Sequence, residues 1–259
     1  MIQLRSLPKP DQLTEELVAE LTERFKQTGE SVWKNSRVSF LKEALLELSH
    51  RKCCYSECKL EQEGKYMEVE HFHPKSLYPD EVLDWNNLLP ANRKCNGDKG
   101  SWDTKTQPII HPVRDNPKEH LFLKNYRFHA KTPLGQNTLQ AIDLNNRQHW
   151  VQKRFRIGEQ LIKDLKELEE QLLEYEHDRS ENKKKKILNR LAYLLCLGIE
   201  TEEYSATIAT VMLHHKTYQA IKARLIAWSY WNEELTELEQ RVAYCCMDEN
   251  HNANNFPPP

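Results

Sequence analysis

Glycine is scarce in this chain, at 7 of 259 residues, where about 7% is typical. Long apolar runs are missing. The longest lies near Leu191–Ile199, well short of the ~20 residues a membrane span needs. The opening, MIQLRSLPKP, has no apolar segment of the kind a secretory signal carries. An excess of one charge is also missing, since 37 Lys+Arg face 39 Asp+Glu for a net of −2. These absences exclude a spanning protein, a signal-directed export and a globally basic nucleic-acid coat, and they predict a cytoplasmic protein with no membrane partner. They leave room for a local basic site. No internal repeat is evident. Seven cysteines, an odd number without an export signal, read as free thiols or metal ligands rather than a disulfide framework.

What is present is helix-forming. The length suits one large domain or two modest ones. Residues 11–27 predict an amphipathic helix with Leu13, Leu17, Val18 and Leu21 on one face and Asp11 as its cap. Ser31–Ser49 predicts a second, with Trp33, Phe40, Leu41, Ala44, Leu45 and Leu48 as its stripe. From about Arg51 to Lys131 the helical period is lost, and Cys, His, Pro and Trp cluster. Within that region Tyr66–His71 alternates like a short strand. After the turn-like Pro133-Leu134-Gly135, helices resume over Trp150–His177, Ile187–Leu197 and Glu202–Ser229. Leu161, Leu165, Leu168, Leu172 and Tyr175 follow a coiled-coil-like spacing for two heptads, short enough to favour an intramolecular core. The last residues, NANNFPPP, read as a frayed tail. The expected organisation is 1–49 N-terminal helices, 50–131 a compact catalytic core, and 132–259 a helical partner-docking region.

Chemistry concentrates in Val69–Gly100, VEHFHPKSLYPDEVLDWNNLLPANRKCNGDKG. Phosphodiester hydrolysis needs a base near neutral pH, which His supplies, and a divalent cation to stabilise charge on the phosphate and leaving oxygen. A hard cation wants carboxylate and amide oxygens. Glu70 offers a carboxylate, His71 a base and Asn96 an amide oxygen. A helix starting near Arg93 puts Asn96 and Lys99 on one face, where an ammonium could meet a phosphate.

The order and spacing of these residues resemble the HNH (ββα-metal) nuclease motif, Asp/Glu-His-x-x-Pro, then Asn-Leu, then Cys-(Asn/His)-x-x-Lys-Gly. The resemblance implies a mainly α chain with a small ββα-metal core at residues 51–100. It implies Glu70 and Asn96 as ligands of Mg²⁺ or Mn²⁺, His71 as the general base, Asn87 as the asparagine that holds the loop, and Lys99-Gly100 as the closing pair. It also implies products with 5′-phosphate and 3′-hydroxyl ends. A wider stretch is similar to the HNH subunit of Septu-type and retron-associated anti-phage systems. It comprises Cys53-Cys54-Tyr55-Ser56, Glu70–Ser76, Trp85–Pro90, Ile110-His111-Pro112, Asp115–His120 and Thr138–Asn145. That likeness implies an ABC/SMC-type ATPase as partner. Many HNH proteins also hold a structural Zn²⁺ between two CxxC pairs. Here Ser56 and Asn92 stand where two thiols would fall, so a full zinc site on Cys53, Cys54, Cys58 and Cys95 is not expected.

Neighbouring residues have plainer readings. His73 either touches substrate or is a polar residue before Pro74, and Lys75 is a solvated or phosphate-facing charge. Lys183–Lys186 reads as a solvated helix start. His214-His215 reads as structural or interfacial, and Cys245-Cys246 as buried thiols. The leading function is a metal-dependent endonuclease acting on nucleic acid, DNA favoured and RNA open. The alternative is a non-catalytic binding or adaptor module with a degenerate fold. The intact Glu70, His71 and Asn96 favour the enzyme.

Overall fold

The structure is a computed structural model describing residues 1–62 and 66–249; the expected frayed tail lies outside the described residues. Helix accounts for 56% of the chain, which makes it mainly helical, and the strands form two antiparallel hairpins. Among the described residues no helix is long and apolar enough to cross a membrane. The chain divides into two compact units, Met1–His120 with Thr132–Leu144, and Leu121–Lys131 with the residues from Asn145 onward.

In the first unit, α1 spans Glu15–Thr28. Its cap is Thr14, whose hydroxyl accepts from Leu17 N, rather than Asp11. The residues before it form a turn, with Leu13 N bonded to Pro10 O, which drops Leu13 into the core. The expected helix over Ser31–Ser49 is broken. Two 3₁₀ turns, Val32–Lys34 and Ser36–Val38, precede α2 at Leu41–Leu48. Asn35 is the cause: its backbone is extended and its side chain accepts from Arg37 N, a local bond that competes with helix.

A small loop follows. Cys53 N bonds Cys58 O, Leu60 N bonds Arg51 O, and Cys54 N bonds Pro90 O. Strand β1 is Met67–His71, as the alternation predicts, and β2 is Leu88–Asn92. They pair antiparallel with Glu70 opposite Leu89 and His71 opposite Leu88. Helix α3, Arg93–Lys99, starts where expected because Asn92 caps it, accepting from Lys94 N, and it packs on both strands. A single turn α4, Pro117–His120, and α5, Pro133–Ile142, complete the unit. The expected turn at Pro133-Leu134-Gly135 is instead the start of α5. Thr132 caps it and Pro133 takes the first helical position, where a missing N–H costs nothing.

The second unit opens with an unforeseen hairpin, β3 at Leu121–Lys124 and β4 at Arg127–Ala130. Asn125 and Tyr126 turn it with φ of 50° and 63°, the left-handed pair of a tight two-residue turn. Helix α6, Gln152–His177, follows a π turn at Arg147–Val151 that Asn146 caps. The stripe Leu161, Leu165, Leu168, Leu172 and Tyr175 is buried within this unit. Helix α7, Glu181–Cys196, is capped by Ser180 and carries Lys183–Lys186 in its opening turns. The expected single helix over Glu202–Ser229 is two, α8 at Ser205–His214 and α9 at Lys216–Ala227. His215 breaks it: its backbone is extended and its ring nitrogen accepts from Thr217 N, capping α9. Helix α10, Glu233–Cys245, was not foreseen. Cys245 is buried as expected, whereas Cys246 is only half-buried, its sulfur 3.9 Å from His214 Nδ1.

Candidate active site

β1 sends alternate side chains to opposite faces. Glu68 and Glu70 reach α3, and His71 faces the other way. Glu70 is sealed in the unit: Lys99 Nζ lies 2.5 Å from its Oε1, with both side chains 1% exposed. Burial pushes the Glu70 carboxyl up to about 7, opposed by the Lys99 charge. Lys99 also donates to His71 O at 2.8 Å. Its ammonium therefore sits inside the unit, on Glu70 and the strand end, whereas the helix face it shares with Asn96 suggested that it meets a phosphate beside a metal. A carboxylate this deep needs a counter-charge, and Lys99 is the one supplied.

His71 is 6% exposed. Its Nε2 lies 3.1 Å from Val82 O. A carbonyl oxygen only accepts, so Nε2 carries the proton and Nδ1 keeps a lone pair. Burial, with the nearby Lys75 charge, pulls its pKa down to about 4, so the ring is neutral at pH 7. The Trp33 ring lies 5.9 Å away at 48°.

Asn87 is buried and pins the loop between the strands. It accepts from His73 N at 2.6 Å and donates to His73 O and Glu81 O, both at 3.1 Å. β1 ends at His71, so strand parity does not carry on to His73. The His73 Nδ1 meets Thr104 Oγ1 at 2.6 Å. Thr104 gives its own proton to Phe72 O at 2.9 Å, so His73 Nδ1 is the donor there and Nε2 keeps a lone pair. Burial lowers the His73 pKa. Lys75 is half-buried and makes no ion pair among the described residues.

Asn96 Nδ2 donates to Glu68 Oε2 at 2.8 Å, and the Glu68 side chain is 39% exposed. Sequence reasoning missed Glu68. Its only signal was sharing strand parity with Glu70. Glu68 and Asn96 thus meet across β1 and α3, while the Glu70 carboxylate is engaged by Lys99. Carboxylate and amide oxygens are the donors a hard divalent cation takes.

The four candidate zinc cysteines gather. Burial opposes ionisation of Cys53, yet contacts from Cys54, Cys58, Cys95 and Ser56 hold its thiol well below the usual range. Burial raises Cys54 and Cys95 instead. Ser56 Oγ donates to Cys58 Sγ at 3.4 Å, so a hydroxyl stands beside this thiol. Among the described residues no three His, Cys, Asp or Glu side chains are disposed to hold a metal ion, and no zinc ligand set is assigned.

Fold and site define a mainly helical protein whose first unit sets a buried histidine and two acids on a strand hairpin that a short helix packs against. The chain matches no protein-family model. It is 38% identical over 240 residues to Septu protein PtuB of Bacillus thuringiensis, covering 92% of each chain. The chain belongs to this family of Septu proteins.

Proposed function

We propose that the chain is a metal-dependent HNH endonuclease, the nuclease effector of a Septu-type anti-phage complex. One observation carries the reading: His71 is held neutral, with its Nε2 proton fixed on Val82 O and Nδ1 left to accept a proton. A general base must be unprotonated at working pH, and the lowered pKa with Nε2 committed to Val82 O supports that state for His71. His71 Nδ1 takes the proton of the attacking water. Asn87 keeps the following loop in place, and Lys99 fixes the end of β1 through His71 O.

By donor chemistry Glu68 and the Asn96 amide oxygen would hold Mg²⁺ or Mn²⁺, and Glu70, which the motif resemblance adds to the set, would have to turn from Lys99 to join them. Such an ion stabilises charge on the phosphate and the leaving 3′-oxygen. DNA is the favoured substrate, with RNA as the second. The helical second unit is the part proposed to dock an ABC/SMC-type ATPase.

The test is incubation of the purified chain, with and without that ATPase, on DNA and RNA under Mg²⁺, Mn²⁺ or EDTA. Cleavage that needs the metal and leaves 5′-phosphates supports the reading. Binding without cleavage under every metal overturns it in favour of an adaptor.

A further inference from the structure

The break in the expected helix over Ser31–Ser49 has a spatial result. It turns Trp33 toward β1, where its ring meets His71. Between these elements lies a cavity of about 520 Å³ lined by Trp33, Lys42, Glu68, Val69, Lys75 and Asn96, among others. Its volume falls in the range of small-molecule sites. Its chemistry is divided. Trp33 and Val69 give an aromatic face and an apolar wall. Lys42 and Lys75 bring cations. Glu68 and Asn96 bring the oxygen donors of the proposed metal site.

An aromatic face, a cation and a metal-side carboxylate match the parts of a nucleotide: base, phosphate, and phosphate oxygen beside a metal. Lys42 already pairs with Glu61 at 3.0 Å, so Lys75 is the cation left for a phosphate. Lys75 lines the same cavity as Trp33, whose ring meets His71, which places it near the reacting end. A base inside a duplex has both faces stacked. Only an unstacked base can offer a face to a protein ring.

We propose that this cavity takes one unpaired nucleotide, its base against Trp33 and its phosphate on Lys75, so that the chain engages single-stranded or locally opened nucleic acid. The inference rests on the nuclease reading for the placing of that phosphate beside His71. Trp33 lies outside the motif segment and is the aromatic side chain among those lining the cavity.

The test measures binding of the full chain to short fluorescein-labelled single strands and to the matching blunt duplex, with Ca²⁺ replacing Mg²⁺. The parent is expected to prefer the single strand. Trp33→Leu keeps an apolar wall but removes the ring face, and it should weaken single-strand binding roughly 5- to 100-fold. Trp33→Phe should retain most of it, and duplex binding should be unchanged in both. Superimposable circular dichroism melts show that the variants fold. Equal single-strand binding by parent and Trp33→Leu overturns the proposal. So does parallel loss on single strand and duplex, or a parent that binds neither. A ring-dependent preference in a chain that cuts nothing under Mg²⁺ or Mn²⁺ sinks the nuclease reading and leaves the nucleotide pocket standing. Cleavage with ring-independent binding does the reverse.

Discussion

Lys99→Met tests the buried pair behind the site, and its effect should depend on pH. Methionine nearly matches the length of lysine and removes only the charge and its donors. Two interactions go: the 2.5 Å contact with Glu70 and the 2.8 Å bond to His71 O. Removing one partner of a buried pair typically costs about 3–5 kcal/mol, because the other charge is left uncompensated. An abandoned buried carbonyl accounts for about 1–3 kcal/mol on its own. Glu70 can escape the first cost by taking up a proton. In the parent its folded pKa is raised from the ordinary 4.5 to about 7. A raised folded pKa means the native state holds the proton longer than the unfolded chain does. From this group, stability is greatest below about pH 4.5, falls as pH rises to about 7, and then levels off.

Without Lys99, nothing opposes the burial, so the folded pKa rises further. The variant then keeps losing stability above pH 7, at about 1.4 kcal/mol per pH unit, where the parent has levelled. Urea unfolding at about pH 5, 7 and 9 reads this directly. At pH 5 Glu70 is protonated in both proteins, and the deficit should be the carbonyl's roughly 1–3 kcal/mol. At pH 9 it should reach about 3–5 kcal/mol. Adding Glu70→Gln to the variant should flatten the difference across pH. A deficit that is equal at pH 5 and pH 9, or larger at pH 5, refutes the account of the pair.

His71→Ala should lower cleavage about 10²–10⁴-fold with the melt unchanged, and near-parent rates with metal present would remove His71 as the base. Asn87→Ala gives up three bonds to the loop; chemical denaturation should show a loss of about 1–3 kcal/mol, and an unchanged midpoint would mean the loop is held by other contacts. Asn96→Ala, Glu70→Gln and Glu68→Gln should each weaken Mn²⁺ binding in calorimetry, by about 10-fold or more. Titrations that overlay the parent for all three would discard that donor set.

The elements the sequence disclosed were those fixed by neighbours in the chain. Met67–His71 alternates, and α3 starts at Arg93 after an Asn cap, so hairpin strand and helix were both placed to within a residue. The breaks were harder because polar side chains made them. Asn35 and His215 each bond a backbone N–H two residues on, and a hydrophobic stripe runs through such a residue without showing it. The hairpin β3–β4 stayed hidden because Asn125-Tyr126 lacks the glycine that advertises a tight turn. At the site, adjacency singles out Glu70 and His71, donor chemistry and helix spacing single out Asn96, and only the motif resemblance singles out Asn87. Glu68 was invisible because its partner Asn96 is 28 residues away. The burial of Lys99 depends on a fold contact, which helix geometry alone, placing Asn96 and Lys99 on one face, does not show.

The division of the chain into units decides how a role for the second unit can be tested. The hairpin at 121–130 precedes α5 in sequence yet belongs with the helices after Asn145. Tyr126 OH donates to Glu159 at 2.7 Å, Arg154 lies over the Phe128 ring at 4.7 Å, and Leu123 N bonds Asp248 O at 2.8 Å. A truncation after about Asn146 would strip away these partners and expose Leu121, Leu123 and Phe128, all now buried, at roughly 1.5–3 kcal/mol each. Lost cleavage in such a fragment would report damage as readily as a missing partner. Substitutions on the intact chain avoid this. Tyr193 on α7 and Ile226 on α9 are 55% and 52% exposed, so Tyr193→Ala and Ile226→Asp should move stability by no more than about 0.5 kcal/mol. If the second unit docks the ATPase, one or both should reduce its capture in pull-down and lower partner-dependent cleavage, while the melt stays that of the parent. Undiminished capture by the double variant would take those helix faces out of the interface.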